Sequence, residues 1–200
     1  INPPFGVEWK TEKALVETEF NAKYGSRFMA GLPRISDGQL LFMQNLIAKT
    51  DPDGRIAIIL NGSPLFSGDA GSGESEVRRY VLERDLLEAI VALPDQMFYN
   101  TGIFTYVWIL SKNKAKKRRK KVQLIDATGM WEEQKPKSLG NKRKEITPEH
   151  RNEIVKLHRA FKEGETVKIL APEDFGYRKV TVERPLRDEK GQIVLKKGKK

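Results

Sequence analysis

The chain has 200 residues, 38% hydrophobic and 32% charged, a balance that suits one or two modest domains with exposed tails. It holds no cysteine, which excludes a disulfide framework and any thiolate metal site and fits a cytoplasmic setting. No apolar run approaches the roughly 18 residues of a membrane span, so no membrane partner is expected. The net charge of +10 suggests a polyanionic partner, but eight basic residues fall between Lys112 and Lys121, leaving +2 for the remainder.

The chain opens on Ile1-Asn2-Pro3-Pro4-Phe5. Each proline fixes φ and removes a donor, and the residue before a proline is held extended. The carbonyls of Asn2 and Pro3 and the Asn2 amide are thereby pinned in a rigid arc suited to gripping an exocyclic amino group. Phe5 supplies a plane on which a flat base could stack. Acceptors aimed at an NH₂ raise electron density on its nitrogen as it attacks an electrophile. A strand-ending turn with a core phenylalanine is the plainer alternative. A chain opening inside such a motif is expected to be the later part of an enzyme.

Residues 6–33 lack a clear period and hold a short helical stretch near 11–21. Ser36, Asp37 and Gly38 offer an N-cap for an apolar helix over 39–49, whose Leu40, Leu41, Phe42, Met43, Leu46 and Ile47 cover most of its circumference. A turn at 51–54 leads to residues 55–60, the continuous apolar run of a strand buried on both faces. Residues 61–73 read as a Gly/Ser-rich loop, and Ser75 opens a helix to about Glu83. Strands follow over 86–93, 103–110 and 122–125, with antiparallel pairing expected across the two short connections between them. Strands alternating with helices give an α/β sheet. Residues 132–144 read as polar loop. Thr147-Pro148-Glu149 starts a helix to about Lys162 with Ile154, Leu157, Ala160 and Phe161 on one stripe, which must dock on something. Residues 171–186 read as irregular or strand-like, and 190–200 as a basic tail.

After the NPPF turn come GRIAIILNGSPLFSGDAGSGESEVRRYVLE, LLEAIVALPDQMFYNTGIFTYVWILSKNK and VQLIDAT, in that order, with FGYRKVTVERPL near the end. In these blocks the chain resembles adenine-specific DNA methyltransferases that use S-adenosylmethionine, most closely the modification (methylase) subunit of type I restriction–modification systems. The likeness spans nearly the whole chain, and ALPDQMFYNTGIFT is its most specific block after NPPF. It implies the C-terminal half of a Rossmann-like α/β methyltransferase sheet (1–126), followed by a helical and irregular extension (127–200). It implies methyl transfer from S-adenosylmethionine to N6 of adenine in double-stranded DNA. The partners implied are a DNA-specificity subunit and a motor–nuclease restriction subunit.

Residue by residue, the resemblance puts Asn2 and Pro3 on the adenine amino group, Pro4 in the same catalytic turn, and Phe5 against the flipped base. Flipping costs a few kcal/mol of unstacking. Phe98 or Tyr99 is implied as the second wall, and the choice between them is open. In that family the cofactor half precedes NPPF as a strand, a Gly-rich turn and an acidic residue. The loop 68–73 follows a later strand and is no substitute. S-adenosylmethionine is therefore expected mainly upstream of Ile1, and this chain alone is expected to bind it poorly and to be inactive.

Further expectations concern the remaining charged and aromatic residues. If strand 86–93 ends at the active edge, strand 103–110 runs back and carries the basic run to the opposite edge as a solvated hairpin loop, a contact to flanking nucleic acid being the alternative. His150 and His158 are expected on a helix surface, with no metal site, and Trp9, Trp108 and Trp131 in structural roles. The single-faced helix over 147–162 and the segment after it are candidates for partner docking. Two rivals stand beside the main reading: another methyltransferase with the same turn, acting on protein glutamine or RNA guanine, and a non-catalytic nucleic-acid-binding module.

Overall fold

A computed structural model describes residues 1–22, 24–99, 101–135, 140–185, 187 and 191–192. In chain order its elements are α1 (Lys13–Phe20), α2 (Gln39–Lys49), β1 (Arg55–Asn61), α3 (Ser63–Phe66), α4 (Gly73–Glu83), β2 (Leu87–Ala92), β3 (Thr105–Ser111), β4 (Val122–Asp126), β5 (Glu132–Glu133), β6 (Lys144–Glu145), α5 (Pro148–Ala160) and β7 (Val167–Leu170). Single 3₁₀ turns lie at Lys116–Arg118 and Pro172–Phe175.

The apolar strands assemble into one five-stranded sheet of order β1-β3-β2-β4-β7. β1, β2 and β4 point the same way, while β3 and β7 run against them. The C-terminal ends of β1, β2 and β4 therefore share one edge. Ile1 meets the outer side of β1 in a parallel bridge, its nitrogen donating to the Ala57 carbonyl at 2.8 Å and its carbonyl accepting from Ile59 N at 3.0 Å. That direction sends Asn2–Phe5 towards the shared C-terminal edge.

Two apolar layers hold the sheet. On one face α2 and α4 bring Leu40, Met43, Ile47, Val77 and Val81 onto Ile56, Ile58, Leu60, Ile90, Trp108 and Leu110. On the other face Val91, Leu93, Ile125 and Val167 pack with Val107, Ile109 and, from α5, Ile154 and Leu157. Each fully buried Ile, Leu or Met side chain contributes about 1.5–3 kcal/mol relative to exposure. The caps are local and readable. The Ser72 hydroxyl accepts from Ser75 N, and Glu74 and Glu76 stand in the first turn of α4, where the helix dipole favours anions. Thr147 caps α5 ahead of Pro148, and Phe161 ends it in the left-handed region at φ 49.

Several expectations from sequence are corrected. β1 is buried on one face only: Ile56, Ile58 and Leu60 point inward while Arg55 and Ala57 are exposed. It lies at the margin of the sheet. β3 and β4 do not pair; β4 lies parallel to β2, so residues 112–121 cross past the start of β2 instead of closing a hairpin. The loop over 61–73 contains the short helix α3, and α4 begins at Gly73. In the stretch read as polar loop, Glu132–Glu133 pairs antiparallel with Lys144–Glu145 as β5 and β6, and β7, unsuspected, pairs with β4. α5 spends its apolar stripe on the chain's own sheet, so that stripe is not a free partner surface. Of the basic tail, only residues 191–192 lie among those described.

Candidate active site

Proline chemistry shapes the turn. Pro3 is buried, Asn2 and Pro4 are exposed and Phe5 is half-buried. Among the described residues, neither the Asn2 side chain nor the Pro3 carbonyl has a hydrogen-bond partner, because the adjoining prolines offer no N–H. Two oxygen acceptors thus stand free at the C-terminal edge of the sheet.

The aromatic partner comes from the connection between β2 and β3. Phe98 meets Phe5 with ring centroids 5.8 Å apart and planes at 80°. The pair forms a corner, so a flat base lying on one ring would set its edge against the other. Tyr99 is 56% exposed and has Lys142 Nζ over its ring at 5.7 Å. Of the two candidates left open by the sequence, Phe98 contacts Phe5 and Tyr99 turns towards the β5–β6 hairpin.

That hairpin was invisible to sequence reasoning, yet it grips the aromatic connection. Arg143 N and Lys144 N both donate to the Gln96 carbonyl, at 3.0 and 3.3 Å, and Asn141 N donates to the Tyr99 carbonyl at 2.7 Å. Lys144 Nζ pairs with Asp95 and lies 4.2 Å from the Trp131 ring centroid. Gln96 itself sits at φ 56, a left-handed conformation that costs a non-glycine residue about 1–2 kcal/mol. The Gly-Asn pair at 140–141 was the one local turn signal for this hairpin. Also at the C-terminal edge, the Asp126 carboxyl is held below the usual carboxylate range by the Thr128 hydroxyl and backbone N–H.

The last glycine of the glycine-rich loop is packed against backbone. A Cβ on Gly73 would fall 1.7 Å from the Leu32 carbonyl oxygen, and Gly31, at φ 141, lies against Gly73 in turn. These glycines serve close backbone packing, not an open cradle. Arg78 ties the preceding segment down, donating to the carbonyls of Pro64 and Ser67 at 3.1 and 2.7 Å. Burial lowers its pKa from the ordinary arginine value.

The basic run lies at the opposite edge of the sheet, as the strand directions require, but it is not wholly solvated. Lys114 is buried and pairs with Asp85 at 2.6 Å. Arg118 is 5% exposed, donates to Gln123 Oε1 at 2.9 Å and to the His158 carbonyl, and covers the Phe161 ring. Buried Glu88 accepts from Arg55 at 2.6 Å and lies 3.1 Å from His158 Nε2. Burial pushes the Glu88 carboxyl up, but the His158 hydrogen bond and the charges of Arg55 and Arg118 outweigh it and hold the pKa below the ordinary value. His158 is thus a partner of Glu88, a contact that spans 70 residues of sequence and left no local signal. Trp9 and Trp108 are buried, while Trp131 is 39% exposed under Lys144. Among the described residues no helix is long and apolar enough to cross a membrane.

A sheet whose β3 is inserted antiparallel between β1 and β2, with an Asn-Pro-Pro-Phe turn at the C-terminal edge, defines a methyltransferase-type α/β fold. A type I restriction–modification methyltransferase subunit from Streptococcus thermophilus shares it, with a TM-score of 0.71 and 23% identity over 86% of this chain and 34% of its own. The chain belongs to the N-6 DNA methylase family, whose model matches residues 1–176. It is 27% identical to the type I restriction enzyme MjaIX methylase subunit of Methanocaldococcus jannaschii, over 82% of this chain and 28% of that protein. It is 37% identical to the type I restriction enzyme HindI methylase subunit of Haemophilus influenzae, over 50% and 22%. The chain therefore spans roughly a quarter of the length of these relatives.

Proposed function

We propose that this chain supplies the base-holding part of an enzyme that methylates N6 of adenine in double-stranded DNA, within a type I restriction–modification complex. The observation that carries the reading is the pair of unpaired acceptors, the Asn2 amide and the Pro3 carbonyl, beside the Phe5–Phe98 corner. A base turned out of the duplex would stack on one ring and close against the other. Asn2 Oδ1 and the Pro3 carbonyl would each accept one N6–H, orienting the amino group and raising electron density on its nitrogen. Because the prolines pre-set the backbone, little reorganisation accompanies capture.

S-adenosylmethionine would supply the methyl group when bound elsewhere in the enzyme, and no step assigned to this chain runs through it. The chain spans about a quarter of its relatives' length, and we assign cofactor binding to the rest of such an enzyme. The DNA-specificity and motor–nuclease subunits are the expected partners, in the cytoplasm.

The test uses the intact methylase subunit carrying this segment, expressed with its specificity subunit. N6-methyladenine in host DNA is mapped for wild type and for Asn2→Ala. Methylation at a defined site should collapse in the variant while the complex still assembles. Undiminished methylation in Asn2→Ala would overturn the reading. Methylated protein glutamine or RNA in place of methylated DNA would favour its enzymatic rival.

A further inference from the structure

The connection between β2 and β3 has to hold Phe98 at the base, yet loops are the mobile part of a fold and a binding site demands tight placement of its side chains. What steadies this loop is the β5–β6 hairpin. It binds residues 95–99 through three backbone hydrogen bonds, to the carbonyls of Gln96 and Tyr99, and through the Lys144–Asp95 ion pair. Lys144 is itself anchored on the Trp131 ring. Gly140 closes the arrangement: it adopts φ 56, and a Cβ there would stand 2.5 Å from the Tyr99 carbonyl oxygen. Any side chain at 140 therefore pushes the loop away from the hairpin. Such a short hairpin is marginal on its own, so loop and hairpin order each other.

From this geometry we infer that residues 140–144 form a clasp that sets the Phe98 ring for base capture, with Gly140 and Lys144 as positioning residues. The inference rests on the proposed base-holding role of Phe5 and Phe98. The clasp touches no reacting atom. It acts by keeping the loop, whose Gln96 is held in a strained conformation, in the one arrangement that presents Phe98 to Phe5. A displacement of about 1 Å in such a wall can cost on the order of a hundredfold in turnover.

The experiment uses the intact modification complex with two duplexes of its mapped site, one with adenine at the target for turnover and one with 2-aminopurine there, which has no 6-amino group and reports base flipping alone. Emission from 2-aminopurine rises when the base leaves the stack. Gly140→Ala should lose roughly a hundredfold in kcat and most of the emission rise, with DNA affinity unchanged and the complex still assembled. Lys144→Met should shift both readouts in the same direction, and Lys144→Arg, which keeps the ion pair with Asp95, should restore them. Gly140→Ala and Lys144→Met that turn over and emit like wild type would overturn the clasp. Should Gly140→Ala fail to fold, the contrast between Lys144→Met and Lys144→Arg decides it, since a purely structural lysine would leave the emission untouched. A wild-type complex that neither methylates nor emits would instead sink the base-holding reading, and the clasp with it.

Discussion

Replacing Arg118 with alanine should destabilise the 200-residue chain by about 3 kcal/mol, although Arg118 lies in the middle of a run of basic residues. The guanidinium donates to Gln123 Oε1 at 2.9 Å and to the His158 carbonyl, and its Nε lies 3.9 Å from Glu88 Oε1. Truncation strands two acceptors, each costing roughly 1–3 kcal/mol. It also weakens the compensation of a buried carboxylate, and breaking such a pair costs about 3–5 kcal/mol. Glu88 keeps Arg55 and His158, which places the expected loss at the lower end of that range. For a chain of this size the midpoint should fall by roughly 6–12 °C. Thermal unfolding followed by far-ultraviolet circular dichroism measures the midpoint and urea unfolding the free energy, with Lys116→Ala, an exposed neighbour in the same run, as the control. The control should stay within about 0.5 kcal/mol of wild type. An Arg118→Ala chain equally close to wild type would refute the burial argument and return the whole run to solvent.

The depressed Glu88 pKa makes stability acid-sensitive: its contribution is complete above about pH 4.3, the ordinary carboxylate value, and is lost as pH falls through the lower folded value. Glu88→Gln should therefore flatten the pH dependence of the urea midpoint between about pH 5 and 3, and an unchanged slope would exclude Glu88 as its source. Gly73→Ala should cost roughly 1–3 kcal/mol or more, because its Cβ meets the Leu32 carbonyl oxygen at 1.7 Å, whereas Gly129→Ala, with nothing within 4 Å, should be near neutral. Similar midpoints for the two would contradict the close approach. In the intact enzyme, Phe98→Ala should lower kcat/KM about tenfold or more, since stacking on a base is worth about 1–3 kcal/mol. Tyr99→Ala should do less, and the reverse order would move the base wall to Tyr99.

The sequence alone determined the strand and helix inventory wherever a pattern was local. The apolar runs of β1, β2, β3 and β4, the amphipathic α5 and the proline-rich turn each carry their cause within a few residues. The placement of the basic run opposite the NPPF turn also followed, because strand direction is a matter of connection length and sign. Pairing order was decided only by tertiary structure: β4 lies beside β2 and not β3, since lateral position in a sheet depends on which faces the helices cover. The same holds for Arg118, Lys114 and His158, which the sequence shows as solvated charges. Their burial is set by Glu88, Asp85 and Gln123, which arrive from other strands and connections. At the candidate site the conformation of the Asn2–Phe5 turn was legible, because proline acts on its immediate neighbours. The choice of Phe98 over Tyr99 as the ring against Phe5 was not, because it depends on a hairpin some forty residues downstream whose glycine leaves room for a carbonyl oxygen.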